Sequence, residues 1–272
     1  MATEYAERFH FIEVMLTWQG RVNSTHLTKH FSLSRPSASK TFSKYLAQHP
    51  NSIVYRDDIK VFVATAQYYP HYSNQEFSQY QAIVNSDTKN SFSHVSEISI
   101  PTRNPQPKLA RPILRAIEDK LAIDIGYTSL TSPEYKDRIN EPHSLVFDGL
   151  RWHVRAFCRK NMAFRDFVLS RFNGEVINEG KAQSNADDDL WWHQIIELEI
   201  QPDQRLTTAQ QQVISDDYQM VGNKLLIKSR AALISYLLQR LHISTEDPDP
   251  CKQQITLTPQ SKKLIKPYRY DL

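Results

Sequence analysis

From Pro142 to Phe172 the chain reads PHSLVFDGLRWHVRAFCRKNMAFRDFVLSRF, and its alternation of apolar and polar residues restricts this stretch to paired β-strands. In RWHVRAFC the period of two puts Trp152, Val154, Ala156 and Cys158 on one side and Arg151, His153, Arg155 and Phe157 on the other. The first side is expected to be core, Trp152 included. The second carries chemistry, because between Arg151 and Arg171 the basic residues Arg151, Arg155, Arg159, Lys160, Arg165 and Arg171 face a single acid, Asp166. A surface with that balance can hold an anion. Guanidinium forks suit phosphate, and aromatic faces such as Tyr127, Phe157 and Phe167 suit a base. Some of these arginines are expected to brace the fold through Asp124, Asp148 or Asp166, with Arg171 one candidate.

At 272 residues the chain is long enough for two or three domains. The net charge of +3 is too small to define a partner. Cys158 and Cys251 are far apart and suggest neither a disulfide framework nor a metal site, which fits a reducing compartment. The opening MATEYAERFHFIEVM places Glu4, Glu7 and Arg8 ahead of any apolar run, so no signal peptide is expected. No window is long and apolar enough for a bilayer, and a cytoplasmic location is expected.

Helical periodicity runs from residue 5 and gives way to alternation near Ser52. A first helix carries Phe9, Ile12, Val14, Met15 and Trp18 and stops at Gly20; a second follows Asn23 and Ser24, either of which can cap it. After the tight turn Ser32-Leu33-Ser34 comes a third helix, from about Arg35 to Ala47, and then a hairpin around Asp57-Asp58. That order is the order of a winged helix-turn-helix, whose third helix enters the DNA major groove. With Ala38, Phe42, Tyr45 and Leu46 inward, Arg35, Ser37, Ser39, Lys40, Thr41 and Lys44 are expected to project toward DNA, joined by Tyr55, Arg56 and Lys60 of the hairpin. No carboxylate lies between Arg35 and Asn51, which strengthens the case. His26 and His30 share a helical face at zinc-ligand spacing, but nothing nearby completes a site, and they read as surface histidines.

A helical pattern spans about Tyr72 to Val84, and the polar run from Asn85 to His94 reads as a linker. A proline-rich approach leads to an amphipathic helix from Leu109 to Lys120, then to short strands that suggest a strongly bent sheet or barrel. Beyond the acidic QSNADDD, strand, helix, strand and helix alternate in a third, α+β unit. The fold class is therefore α+β and multi-domain, with expected boundaries at residues 1–94, 95–186 and 187–272. Helix-turn-helix proteins use paired half-sites, so a homodimer on an inverted-repeat operator in double-stranded DNA is expected. Trp191, Trp192, Ile195 to Ile200 and the helix carrying Leu233, Ile234, Tyr236, Leu237, Leu238 and Leu241 offer a surface for it, although most of these must fill their own core.

The stretch PHSLVFDGLRWHVRAFCRKNMAFRDFVLSRF, with Trp152-His153-Val154 in the Trp-Tyr-Leu position, resembles the WYL-domain transcriptional regulators. The resemblance takes in the helix LARPILRAIEDK, the N-terminal winged helix and the C-terminal unit, hence nearly the whole chain. It is greatest to the regulators that accompany phage-defence gene clusters of the BREX and CBASS types. It implies a central Sm-like or SH3-like β-barrel that senses a negatively charged, nucleotide or nucleic-acid ligand, a C-terminal unit that helps pair subunits, and repression rather than activation. His153 departs from the family tyrosine by losing a hydroxyl and gaining a titratable ring. The expected ligand residues are Tyr127, His143, Ser144, His153, Arg155, Arg165 and Phe167. No cofactor and no metal are expected.

The competing class is a nucleic-acid-processing enzyme in which His143 and His153 act as general acid and base beside arginine phosphate clamps at Arg155 and Arg165. The acidic runs Asp187 to Asp189 and Asp216-Asp217 look like solvated caps rather than a metal cluster. GEVINEGKA has a glycine spacing one residue too long for a phosphate-binding loop, and no Ser or Thr follows its lysine.

Overall fold

Helix α1, Ala2–Gln19, is apolar around most of its girth, with Phe9, Phe11, Ile12, Val14, Met15 and Leu16 all buried. A helix of that kind belongs inside a fold, and α1 is the post on which the first of two units is built. The computed structural model describes every residue except 1, 87–94, 97, 99, 102, 132, 135 and 269–272, and the chain divides into Met1–Ser99 and Ile100–Leu272. The linker expected at Asn85 to His94 lies largely outside the described residues.

Gly20, at φ +69, turns the chain out of α1 in the left-handed conformation that glycine adopts without strain. Strand β1, Arg21–Val22, follows, and then helix α2, Ser24–Phe31, whose first turn is closed by a reciprocal cap. Asn23 accepts from the His26 N–H at 3.2 Å, and the His26 ring accepts from the Asn23 N–H at 3.1 Å, so histidine takes the place usual for Glu or Gln. Ser32, at φ 54, ends α2, and Ser34 caps α3, Arg35–Gln48, with Pro36 in its first turn. Strands β2, Ile53–Arg56, and β3, Val61–Ala64, form the expected hairpin; β1 adds a third strand in the order β1-β3-β2. Helix α4, Phe77–Asn85, begins later than the periodicity suggested. The preceding turn is drawn inward instead: the buried Glu13 carboxylate accepts the N–H groups of His71, Tyr72 and Ser73 at 2.9, 2.6 and 2.9 Å, and the Tyr45 hydroxyl at 3.0 Å.

The second unit opens with helix α5, Pro107–Asp119, which buries Leu109, Ile113 and Ala116 against a five-stranded antiparallel sheet. Its strands are β4, Leu121–Tyr127, β5, Lys136–Phe147, β6, Trp152–Cys158, β7, Ala163–Val168, and β8, Phe172–Lys181, in the order β7-β6-β5-β4-β8. Among the described residues the edges β7 and β8 form no ladder with each other, so the expected Sm-like or SH3-like barrel is not seen to close. A bulge between Pro142 and Ser144 interrupts β5, which suits a proline that has no N–H to give to a ladder.

The chain continues through α6, Leu190–His193, β9, Ile195–Pro202, α7, Thr208–Asp217, β10, Leu225–Arg230, α8, Ile234–Arg240, α9, Pro250–Gln253, β11, Ile255–Leu257, and α10, Pro259–Leu264. Strands β10-β9-β11 make a small antiparallel sheet. Ile196, Leu198 and Ile200 face Ile234, Leu238 and Ile265 in a separate core. Trp191, Leu237 and Leu241 pack onto it, so much of the apolar set expected at a dimer surface fills its own interior.

Candidate nucleic-acid interface and sensor core

On α3 the inward stripe is Ala38, Thr41, Phe42 and Tyr45, a spacing of three, one and three that traces one helical face. Thr41, expected toward DNA, is fully buried and donates its hydroxyl to the Ser37 carbonyl at 3.0 Å. Arg35, Ser39, Lys40 and Lys44 are exposed and Ser37 is half-buried, which leaves a cationic outward face. Lys44 is steadied by the Tyr5 ring, 3.8 Å from Nζ to the centroid. On the hairpin Tyr55 is exposed, Arg56 grips Asp58 at 2.9 and 2.6 Å, and Lys60 lies 3.3 Å from Asp57. Both pairs are solvent-exposed and hence cheap to exchange for a phosphate. The two histidines of α2 are half-buried: burial, then Arg21 and Lys29, hold the His26 ring below its ordinary pKa, and the His30 ring packs 4.5 Å from Phe11.

On β6 the sides separate as the alternation requires, with Val154, Ala156 and Cys158 in the core. Trp152 is the exception. It is 44% exposed and leans on Phe147, because the strand's first residue runs past the edge of the apolar layer.

The opposite side is closed rather than open. His153 and Arg155 are 2% and 1% exposed, covered by the C-terminal part of the same unit. Arg155 binds Asp189 through Nε at 2.7 Å and Nη2 at 3.1 Å, a bidentate pair, and reaches Asp166 at 3.4 Å. Asp189 also caps α6, accepting from the Trp192 N–H at 3.3 Å. His153 bonds Asp148 at 2.8 Å, and its other ring nitrogen lies 3.3 Å from the Tyr236 hydroxyl of α8. At the β5–β6 turn Gly149, at φ +98, lets the Arg240 guanidinium approach; a Cβ there would meet it at 3.4 Å. His143, re-aimed by the bulge, is buried with Nδ1 2.9 Å from Ser144 and Nε2 3.4 Å from Asp189.

Charge in this junction follows from its burial. Desolvation pushes the Asp189 carboxyl up, but His143, Arg155 and the Trp192 N–H outweigh it and hold it at about 2. Asp148 is likewise held at about 2, desolvation being outweighed by His153 and the N–H groups of Arg151 and Leu150. Asp166 goes the other way: burial raises it despite Arg155, whose bidentate edge is given to Asp189. Burial, then the Asp166 charge, raises the Tyr236 phenol.

The expected ligand set is therefore largely internal. The Tyr127 hydroxyl accepts from the Val168 N–H at 3.1 Å, its ring sits between Phe167 and Phe172, and Tyr127 and Phe167 are both core. His143, Ser144, His153 and Arg155 belong to the junction, and Arg165 alone of the set stays exposed. Bracing takes Arg151 to Asp148 and Arg159 to Glu141 in addition to Arg155, whereas Arg171 makes no ion pair among the described residues. Glu141, 1% exposed, was not foreseen: it accepts from Arg159 and from the N–H groups of Gln183 and Ser184 at 3.0 and 2.6 Å, tying the chain after β8 back to β5.

A winged helix, a WYL-type sheet and a C-terminal α+β unit together define a transcription regulator. Residues 4–86 match the winged helix-turn-helix domain of the BrxR transcriptional regulator, residues 108–175 match the WYL domain, and residues 195–263 match the BrxR C-terminal dimerization domain. The chain is 32% identical over 269 residues to a DNA-binding transcriptional repressor CapW of Pseudomonas aeruginosa, covering 95% of this chain and 90% of that one. It is 31% identical to CapW of Escherichia coli (strain KTE188), with 95% and 89% covered, and 30% identical to CapW of Stenotrophomonas maltophilia, with 88% and 83% covered. The chain belongs to this family of WYL-domain transcriptional regulators and is not an enzyme, so the acid-base role weighed for His143 and His153 is set aside.

Proposed function

We propose that the chain is a homodimeric, cytoplasmic DNA-binding repressor of a phage-defence operon, and that its WYL domain senses an anionic ligand. The observation that carries the first part is α3, which turns Arg35, Ser39, Lys40 and Lys44 outward behind a buried stripe, within a segment that matches a regulator's winged helix. Those residues, with Ser37, Tyr55, Arg56 and Lys60, contact an inverted-repeat operator in double-stranded DNA. No helix among the described residues is long and apolar enough to cross a membrane. Domain limits at 94 and 186 and an open Sm-like form of the central sheet complete the proposal; the bulged ladders of β4–β8 and β5–β6 support the bend.

The buried junction supports the sensing part. Arg155, His153 and Gly149 of the central sheet meet Asp189, Tyr236 and Arg240 of the part that matches a dimerization domain or leads into it. A ligand that favours one packing of that junction changes how the dimer presents its two DNA heads; a ligand indifferent to the packing changes nothing. The test is an operator titration by electrophoretic mobility shift, repeated in the presence of inorganic phosphate, mononucleotides and short oligonucleotides. Operator binding that shifts with one of these anions supports sensing, and insensitivity to all of them refutes it. No operator binding by the intact chain refutes the repressor reading itself.

A further inference from the structure

The groove between α5 and strands β4 and β8 holds about 450 Å³, within the range of small-molecule sites. We propose that it binds a phosphorylated ligand of dinucleotide size. This rests on the reading of the second unit as an anion sensor and places the contact on the α5 side of the sheet, away from the β6–β7 arginines. Its floor is apolar, made by Leu121, Ile123 and Val176, and its wall carries Lys108, Arg111 and Arg115. These cations follow one another at three and four residues and so lie along one side of α5, over a rise of about 10 Å.

Three observations distinguish this wall from an ordinary solvated helix face. First, Lys108, Arg111 and Arg115 are exposed, and among the described residues none has a carboxylate partner, whereas Arg151, Arg155 and Arg159 are all taken by Asp or Glu. Second, the charges oppose the helix dipole. No acid lies in the first turn of α5, Lys108 does, and Glu118 and Asp119 stand at the far end. That order disfavours the helix, so helix stability does not explain it. Third, Pro112 lies inside α5 and lines the groove. It has no N–H, which deprives the Lys108 carbonyl of its ordinary donor four residues on. On the opposite wall Asn178 accepts the Gly180 N–H at 2.8 Å through its Oδ1 and has its amide N–H groups to donate, so the groove offers an acceptor, the Lys108 carbonyl, and a donor as well as cations. Forked guanidiniums for phosphate, a carbonyl acceptor and an amide donor for ring groups or hydroxyls, and an aliphatic floor for a flat base together fit a nucleotide. A peptide carboxylate carries less charge per group and does not use the acceptor.

The experiment is isothermal titration of the full chain with the 5′-phosphorylated dinucleotide pApA, with inorganic phosphate and with hexaglutamate. The expected result is binding of pApA that weakens by at least about tenfold in the Arg111→Ala/Arg115→Ala protein, through loss of charge-assisted hydrogen bonds. Arg111→Lys/Arg115→Lys is expected to fall between, and Arg165→Ala to bind as the parent does. Unchanged thermal melting of the exposed-site variants separates lost binding from lost fold. If Arg165→Ala loses pApA while the α5 variant keeps it, the groove is overturned and anion sensing stands. Tighter binding of hexaglutamate, or no binding of pApA at millimolar concentration, also overturns the groove; sensing itself then fails only if the operator titration ignores every anion.

Discussion

Arg155 has no solvent to fall back on. Removing a side chain that is 1% exposed and bidentate to Asp189 leaves a buried carboxylate uncompensated, a loss of about 3–5 kcal/mol. Urea unfolding of Arg155→Ala is expected to show it; a loss under about 1 kcal/mol would mean that water reaches Asp189 after all. The same junction sets an acid limit. Asp148 and Asp189 titrate near 2 in the folded chain, below the ordinary carboxylate value, so their contribution is complete above about pH 4 and is lost as pH falls toward 2. Asp166, raised by burial, has the opposite sign and loses its contribution as pH rises through its folded value. Asp148→Asn is therefore expected to cost stability at pH 6 and roughly half as much at pH 3, measured by denaturant midpoint; an equal cost at both would exclude the assignment.

At the scale of elements, two segments without regular structure are held by buried glutamates. Glu13 gathers residues 71–73 and the Tyr45 hydroxyl, and Glu141 gathers residues 183 and 184. Glu13 therefore fixes the back of α3. Glu13→Ala is expected to lower the unfolding free energy by about 2–4 kcal/mol, since several buried N–H groups lose their acceptor. It is also expected to weaken operator binding, though it lies on the buried side; retention of full stability in calorimetry would contradict this. The elements themselves were legible because helix and strand periods differ and their stops are local: Gly20, Asn23, the Ser32-Leu33-Ser34 turn and the Asp57-Asp58 hairpin. Thr41 was legible too, standing three residues after Ala38 and four before Tyr45, but its hydroxyl suggested the wrong side. What local pattern does not carry is the long-range partner. Nothing near Arg155 announces Asp189, nothing near Glu13 announces residues 71–73, and alternation alone cannot say that the face of His153 is roofed by α8 while Trp152 stands at an uncovered end.

Across the whole molecule, the chain joins a winged helix-turn-helix unit to a unit that carries a dimerization domain, and DNA binding and pairing are expected to fail separately. Val213, Val221 and Leu226 are 65%, 86% and 61% exposed on the part that matches a dimerization domain. Leu226→Glu is expected to shift the sedimentation profile toward monomer and to lower operator affinity without altering the winged helix; an unchanged dimer would move the pairing surface elsewhere. The most direct test of the central claim, that α3 grips duplex DNA through its outward cations, is the salt dependence of operator affinity for the parent chain and for Arg35→Ala/Lys40→Ala. The slope of log affinity against log salt is expected to fall by about two per subunit, roughly one for each phosphate contact removed. An unchanged slope and affinity would contradict it.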